Sequence, residues 1–137
     1  MARFEINTDT SHCFACSPQN EYGLHLSFEF EGEICRTRFV PQERYQGWTG
    51  FTHGGILATV LDETMAQWLW HKDIVAMTAE MEVRFIKAVP VGREVVVTAA
   101  CRRGPSHGLY LLEAGMTMDG EPVARAKAKF MATENSG

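Results

Sequence analysis

No stretch of this sequence approaches the roughly 18 consecutive apolar residues of a membrane-spanning helix, and the opening MARFEINTDTSHC lacks the apolar core of a secretory signal. Export and membrane insertion are therefore not expected, and the chain reads as cytoplasmic. An excess of positive charge is missing as well: 13 Lys and Arg stand against 17 Asp and Glu, for a net charge of -4. Nucleic acid and acidic membrane surfaces make poor partners for such a field. Cysteines are few, at positions 13, 16, 35 and 101. Without a secretory signal they read as reduced thiols rather than a disulfide framework. Internal repeats and low-complexity linkers are also missing, so the 137 residues read as one domain, with residues 1–12 as an N-terminal arm.

Cys13 and Cys16 form a Cys-x-x-Cys beside His12, a pattern that invites zinc or redox chemistry. A structural zinc site needs four ligands, and the sequence offers no second pair at suitable spacing. A thioredoxin-like site needs its motif at the start of a helix that follows a strand, and none is predicted there. Neither a metal nor a cofactor is expected.

What the sequence does contain is alternation. LHLSFEF (24–30) places Leu24, Leu26, Phe28 and Phe30 on one face, and ICRTRFV (34–40) follows the Glu31-Gly32-Glu33 turn, which predicts a hairpin. Residues 41–51 have no period and read as a loop. From Ile56 the apolar residues recur at helical spacing through Leu57, Val60, Leu61, Met65, Trp68 and Leu69. Four further strands are predicted at 77–87, 93–103, 108–118 and 122–132, with turns at Pro90-Val91-Gly92, Gly104-Pro105-Ser106 and Asp119-Gly120. The fold class is therefore α+β, an antiparallel sheet with one long helix laid across one face.

Asp62 is out of place on that helix. At about 100° per residue it falls on the shoulder of the apolar arc, with Ala58, Thr59, Met65 and Ala66 one turn away, whereas Glu63 lies opposite the arc and reads as solvated. A carboxylate in apolar surroundings loses solvation, and it either finds a partner or becomes more basic. Ahead of the helix, Gly54-Gly55 let the backbone approach a ligand closely, and first-turn amides are unpaired donors at the positive end of the helix dipole. Such donors can receive a developing oxyanion.

With those residues in view, HGGILATVLDE (53–63) resembles the hotdog-fold thioesterases, particularly the phenylacetate-pathway and 4-hydroxybenzoyl-CoA thioesterase-like branch. CFACSPQNEYGLHLSF (13–28) is similar to the entry segment of many members, and MTAEMEVRFIKAVPVGREV (77–95) to their central strand and the turn after it. The resemblance implies hydrolysis of an acyl-CoA thioester at the subunit interface of a homodimer or a dimer-of-dimers tetramer. By position, the Gly54 amide polarises the thioester carbonyl and His53 shapes the turn. Asp62 of the partner chain serves as general base or nucleophile, and Thr78 orients the water. Gly55, Gln46 and Trp48 fall at the substrate, Trp48 lining the acyl tunnel, while Lys87 and Arg103 are candidates for the CoA phosphates.

Where several members carry Asn or Gln six positions before the His, this chain has Gly47, with Gln46 beside it. That departure keeps a second reading open, a non-catalytic hotdog protein that binds acyl-CoA or another ligand. A hotdog hydratase fits less well, because the Asp and His pair of those sites is missing. Trp68 and Trp70 read as core or interface, and Arg125, Lys127 and Lys129 as the solvent face of a strand.

Overall fold

In the computed structural model, residues 5–134 are described; the first four residues of the expected arm and the last three of the chain lie outside them. The alternating segments become strands. β1 (Phe28–Glu31) and β2 (Ile34–Phe39) form the expected hairpin, turning through Gly32 at φ 59°. A short 3-10 turn (Glu43–Tyr45) interrupts the loop, and α1 (Gly54–His71) follows. The remaining strands are β3 (Ala76–Phe85), β4 (Val95–Ser106), β5 (Leu109–Met118) and β6 (Glu121–Ala132).

One antiparallel sheet results, in the order β1-β2-β4-β5-β6-β3. The last four strands are thus not a simple meander: β3 crosses to the far edge and pairs with β6, leaving β4 to join β2. The helix lies against the sheet, and Leu61, Met65 and Leu69 are buried with Val97, Leu112, Met116 and Phe130. Each such side chain removed from water is worth roughly 1.5–3 kcal/mol. Thr64 is tolerated in this core because its hydroxyl donates to the Val60 carbonyl, 2.7 Å away. At the helix C-terminus Glu33 clamps the hairpin to α1: its carbonyl accepts from Trp68 Nε1 at 2.8 Å, and its carboxylate meets Lys72 Nζ at 2.8 Å.

Two sequence expectations shift. Strand β1 begins only at Phe28, because His25 sits at φ 53° and the backbone of Leu24 and Leu26 bonds instead to Phe14 and Ala15. The alternation was a true burial signal all the same, since Leu24 and Leu26 are buried and His25 and Ser27 exposed. The turn expected at Gly104-Pro105-Ser106 lies inside β4, where the register is irregular, and the chain reverses at His107-Gly108, both at positive φ. Asp119-Gly120 turns as expected, with φ of 53° and 81°. The alternation of exposed Arg125, Lys127 and Lys129 with buried alanines also holds.

Candidate active site

The start of α1 is built by His53. Its backbone lies at φ -60° and ψ 133°, outside the helix, and its Nδ1 accepts a hydrogen bond from the Gly55 amide at 2.8 Å, capping the first turn. With Nδ1 accepting, the proton of the neutral ring sits on Nε2. The ring folds so closely over Gly55 that a Cβ there would lie 3.0 Å from Nδ1, which is why the second residue of the pair is glycine. The Gly55 amide is thereby committed to His53. The amide of Gly54, the first helical residue, has no acceptor within the helix and is left as the donor of this turn.

The preceding loop holds the turn from behind. His53 N–H donates to the Tyr45 carbonyl and Gly47 N–H to the Phe51 carbonyl. A Cβ on Gly47 would lie 3.3 Å from His53 Cα, so glycine lets the two strands of the loop approach. The side chain of Gln46 does not take over the site: its Oε1 accepts from the Gly50 amide at 2.9 Å and ties the loop together. Gly47, Trp48, Thr52, His53 and Gly54 line an open cleft of about 410 Å³. Within it Trp48 is 87% exposed, and the buried Thr52 hydroxyl has no hydrogen-bond partner among the described residues.

Asp62 lies two turns further along α1, half-buried, and its Oδ1 accepts from the Thr78 hydroxyl at 2.6 Å. Burial pushes this carboxyl above the usual carboxylate range, and the Thr78 hydrogen bond pulls partly back. Thr78 stands on β3, an edge strand whose far side pairs with no other strand among the described residues and whose neighbourhood exposes Met77, Phe85 and Ile86. Along the helix, eight residues separate Gly54 from Asp62, a rise of about 12 Å. Within one chain the two are therefore not in contact.

Of the other sequence candidates, Lys87 is paired with Glu121 at 2.6 Å. Arg103 lines a separate cleft of about 310 Å³ with Ser106, His107, Tyr110 and Lys129. The expectation for Glu63 is corrected: it is not solvated but half-buried, and burial pushes its carboxyl up despite the Gln67 amide beside it. The entry segment folds over that side of the helix and places Cys13 Sγ 3.7 Å from Glu63 Oε2. No sequence period announces this contact, because it joins residues fifty apart. All four cysteines are free.

Residues 49–108 match the thioesterase superfamily family model. Mouse acyl-coenzyme A thioesterase THEM5 is 27% identical over 112 residues, which is 81% of this chain but 44% of that protein, so the chain spans about half the length of this relative. Among solved structures, a Streptococcus mutans protein bound to acetyl CoA superposes with a TM-score of 0.73 at 17% identity, over 79% of this chain and 88% of the other. A phenylacetic acid degradation-related putative thioesterase from Ralstonia eutropha also gives 0.73, at 19% identity, over 85% and 92%. One long helix against a six-stranded antiparallel sheet is the architecture that these structures share with it. The His53-Gly54-Gly55 turn lies inside the segment that matches the thioesterase superfamily model, and the chain has the hotdog fold of these structures.

Proposed function

We propose that the protein is a cytoplasmic acyl-CoA thioesterase whose site forms between two copies of the chain. The observation that carries this reading is the separation of two complementary halves on one helix. A free amide at Gly54 and a basic, half-buried Asp62 lie about 12 Å apart, and Asp62 borders the unpaired edge of β3. A two-fold dimer joined along that edge sets the Asp62 of each chain opposite the Gly54 of the other, twice.

In such a site the thioester carbonyl oxygen accepts from the Gly54 N–H. The Asp62 carboxylate of the partner chain, oriented by Thr78, removes a proton from water as its oxygen attacks the carbonyl carbon. The tetrahedral oxyanion is held by the helix-start amide and collapses with cleavage of the carbon–sulfur bond. The proton passes to the departing CoA sulfur, and the products are the free acid and CoA thiol. If Asp62 attacks directly, the same groups serve an anhydride intermediate that water then hydrolyses. Trp48 and Thr52 border the acyl side of the cleft. Arg103, which enters none of the ion pairs among the described residues, supports a phosphate contact in its cleft better than Lys87 does, whose charge is already paired.

Acetyl CoA in the Streptococcus mutans protein and the acyl-CoA activity of the mouse relative favour a CoA thioester as the substrate class. The test is release of free thiol across short-, medium-, long-chain and aromatic acyl-CoAs, by the parent and by Asp62→Asn. Turnover by the parent alone supports the reading, and equal turnover by both defeats it. One observation favours the second reading, a binder without catalysis: at the loop position where a water-orienting amide could stand there is Gly47, and Gln46 is tied to Gly50. Saturable acyl-CoA binding with no thiol release by the parent decides for that alternative.

A further inference from the structure

On α1 the carboxylate next to Asp62 points elsewhere, about 100° around the helix. Glu63 faces the entry segment, where Cys13 Sγ, Cys16 Sγ and a Glu63 carboxylate oxygen all lie within 4.8 Å of one another. None of the ion pairs among the described residues involves Glu63. Its polar neighbours are Gln67 Nε2 at 3.5 Å and the Cys13 thiol at 3.7 Å.

One edge of this cluster already has the length found in a coordination shell. Zinc–sulfur bonds of about 2.3 Å and zinc–oxygen bonds of about 2.1 Å in a tetrahedron give sulfur–oxygen edges of roughly 3.6 Å and sulfur–sulfur edges of roughly 3.8 Å. The Cys13 Sγ to Glu63 Oε2 separation of 3.7 Å matches the first of these. The cysteine loop is preset as well. Cys16 N–H donates to Cys13 Sγ at 3.3 Å, Ser17 N–H to the Cys13 carbonyl at 3.1 Å, and the Ser17 hydroxyl to the Ser11 carbonyl at 2.6 Å. The amide contact fixes where Cys13 Sγ stands relative to the Cys16 backbone. A cavity of about 180 Å³ opens beside the three groups, lined in part by Thr8, Thr10, Gln67 and Trp70. It has room for a water, whose share of volume is about 30 Å³.

We propose that Cys13, Cys16 and Glu63 bind one thiophilic divalent cation of the zinc class through two thiolates and a carboxylate, with the fourth position open to that cavity. Two sulfurs and one oxygen within 4.8 Å of one another suit zinc, whereas calcium and magnesium demand six or more oxygens. Each thiol gives up its proton to solvent as its sulfur–metal bond forms. The ion staples the entry segment to the helix one residue from Asp62. The site needs neither thioester chemistry nor a partner chain, so it stands or falls separately from the proposed activity.

The test uses the full chain, stripped with a chelator under reducing conditions and titrated with cobalt(II) as a spectroscopic substitute for zinc. Expected are one cobalt per chain, a thiolate-to-cobalt charge-transfer band with tetrahedral d–d bands, and displacement of both by zinc. Cys13→Ser and Cys16→Ser should each lose most of the charge-transfer intensity. Glu63→Gln, which keeps the side-chain shape, should keep the charge transfer but weaken binding about tenfold or more, on the scale of 1.36 kcal/mol per tenfold change. A Cys35→Ser, Cys101→Ser double variant should bind as the parent does, and circular dichroism verifies the fold of each variant. Absence of a charge-transfer band in the parent overturns the proposal. So does a band that survives in folded Cys13→Ser and Cys16→Ser, or unchanged affinity in folded Glu63→Gln.

Discussion

Thr78 Oγ1 donates to Asp62 Oδ1 at 2.6 Å, and this bond joins the open edge strand of the sheet to the flank of the central helix. It fixes which oxygen of Asp62 is occupied, so that in the proposed mechanism Oδ2 acts as the base. A hydrogen bond to a charged group is worth about 1.5–3 kcal/mol. Thr78→Val should therefore lower kcat roughly 10- to 100-fold, with a smaller change in KM, whereas Thr78→Ser should recover most of the loss. The bond also holds the Asp62 carboxyl down against the effect of burial. Its removal should shift the acidic limb of the kcat–pH profile to higher pH, which a stopped-time thiol assay at graded pH can read.

Asp62→Asn separates activity from stability. Because burial raises the folded-state pKa of Asp62 above its unfolded value, the stability linked to this group is complete below the unfolded pKa and is lost as pH rises through the folded one. At neutral pH the ionised carboxylate is thus a net cost, and an amide of the same shape, still able to accept from Thr78, escapes it. The variant should lose thiol release by at least about 100-fold. Its Tm at pH 7 should equal the parent's or exceed it by about 1–4 °C. The gap should close as pH falls into the ordinary carboxylate range. Calorimetry across pH is the measurement, and a variant clearly less stable than the parent at pH 7 contradicts the assignment of burial as the dominant effect.

The His53 cap makes a different demand. Removal of a capping side chain costs about 1 kcal/mol, which for a domain of this size is a Tm drop of about 3–5 °C. His53→Ala should show that drop and, by loosening the turn that presents the Gly54 amide, a reduced kcat. His53→Asn, with a side-chain oxygen able to accept from the Gly55 amide, should restore most of the stability. Gly55→Ala should be worse than its helix propensity suggests, because its Cβ would meet the imidazole at 3.0 Å.

Much of this was legible in the sequence, for reasons that differ from element to element. Strands and helix were announced by period, since the residues of β6 are buried in alternation, and Leu57, Leu61 and Met65 at helical spacing. The Asp119-Gly120 turn followed from residues that accept positive φ. What local pattern could not carry is pairing at a distance. The move of β3 to the sheet edge beside β6 joins strands far apart in the sequence. The burial of Glu63 depends on an entry segment fifty residues earlier. At Gly104-Pro105 a turn-like dipeptide was absorbed into an irregular strand, because His107-Gly108 supplies the reversal two residues later. For the site, the shoulder position of Asp62 was readable from helix geometry; the resemblance placed Thr78 only as an orienter of water, and its bond to Asp62 is seen only in the fold.

Whether the site needs two chains is open to direct measurement by mixing two inactive variants. Gly54→Pro removes the proposed oxyanion donor while sparing the helix, because proline is tolerated at a first helical position. The extended backbone of His53, at ψ 133°, is also the conformation that a following proline requires. Asp62→Asn removes the base. Each homodimer lacks one half of both sites. If Gly54 of one chain faces Asp62 of the other, a heterodimer of the two variants carries one site with both halves intact and one with neither. Random exchange makes half of the dimers mixed, so an equimolar mixture should recover about one quarter of the parental turnover. A site contained within one chain recovers none. The recovered activity should appear only after denaturation and joint refolding, or at dilutions where subunits exchange, so a control mixed without exchange distinguishes complementation from residual activity of either variant.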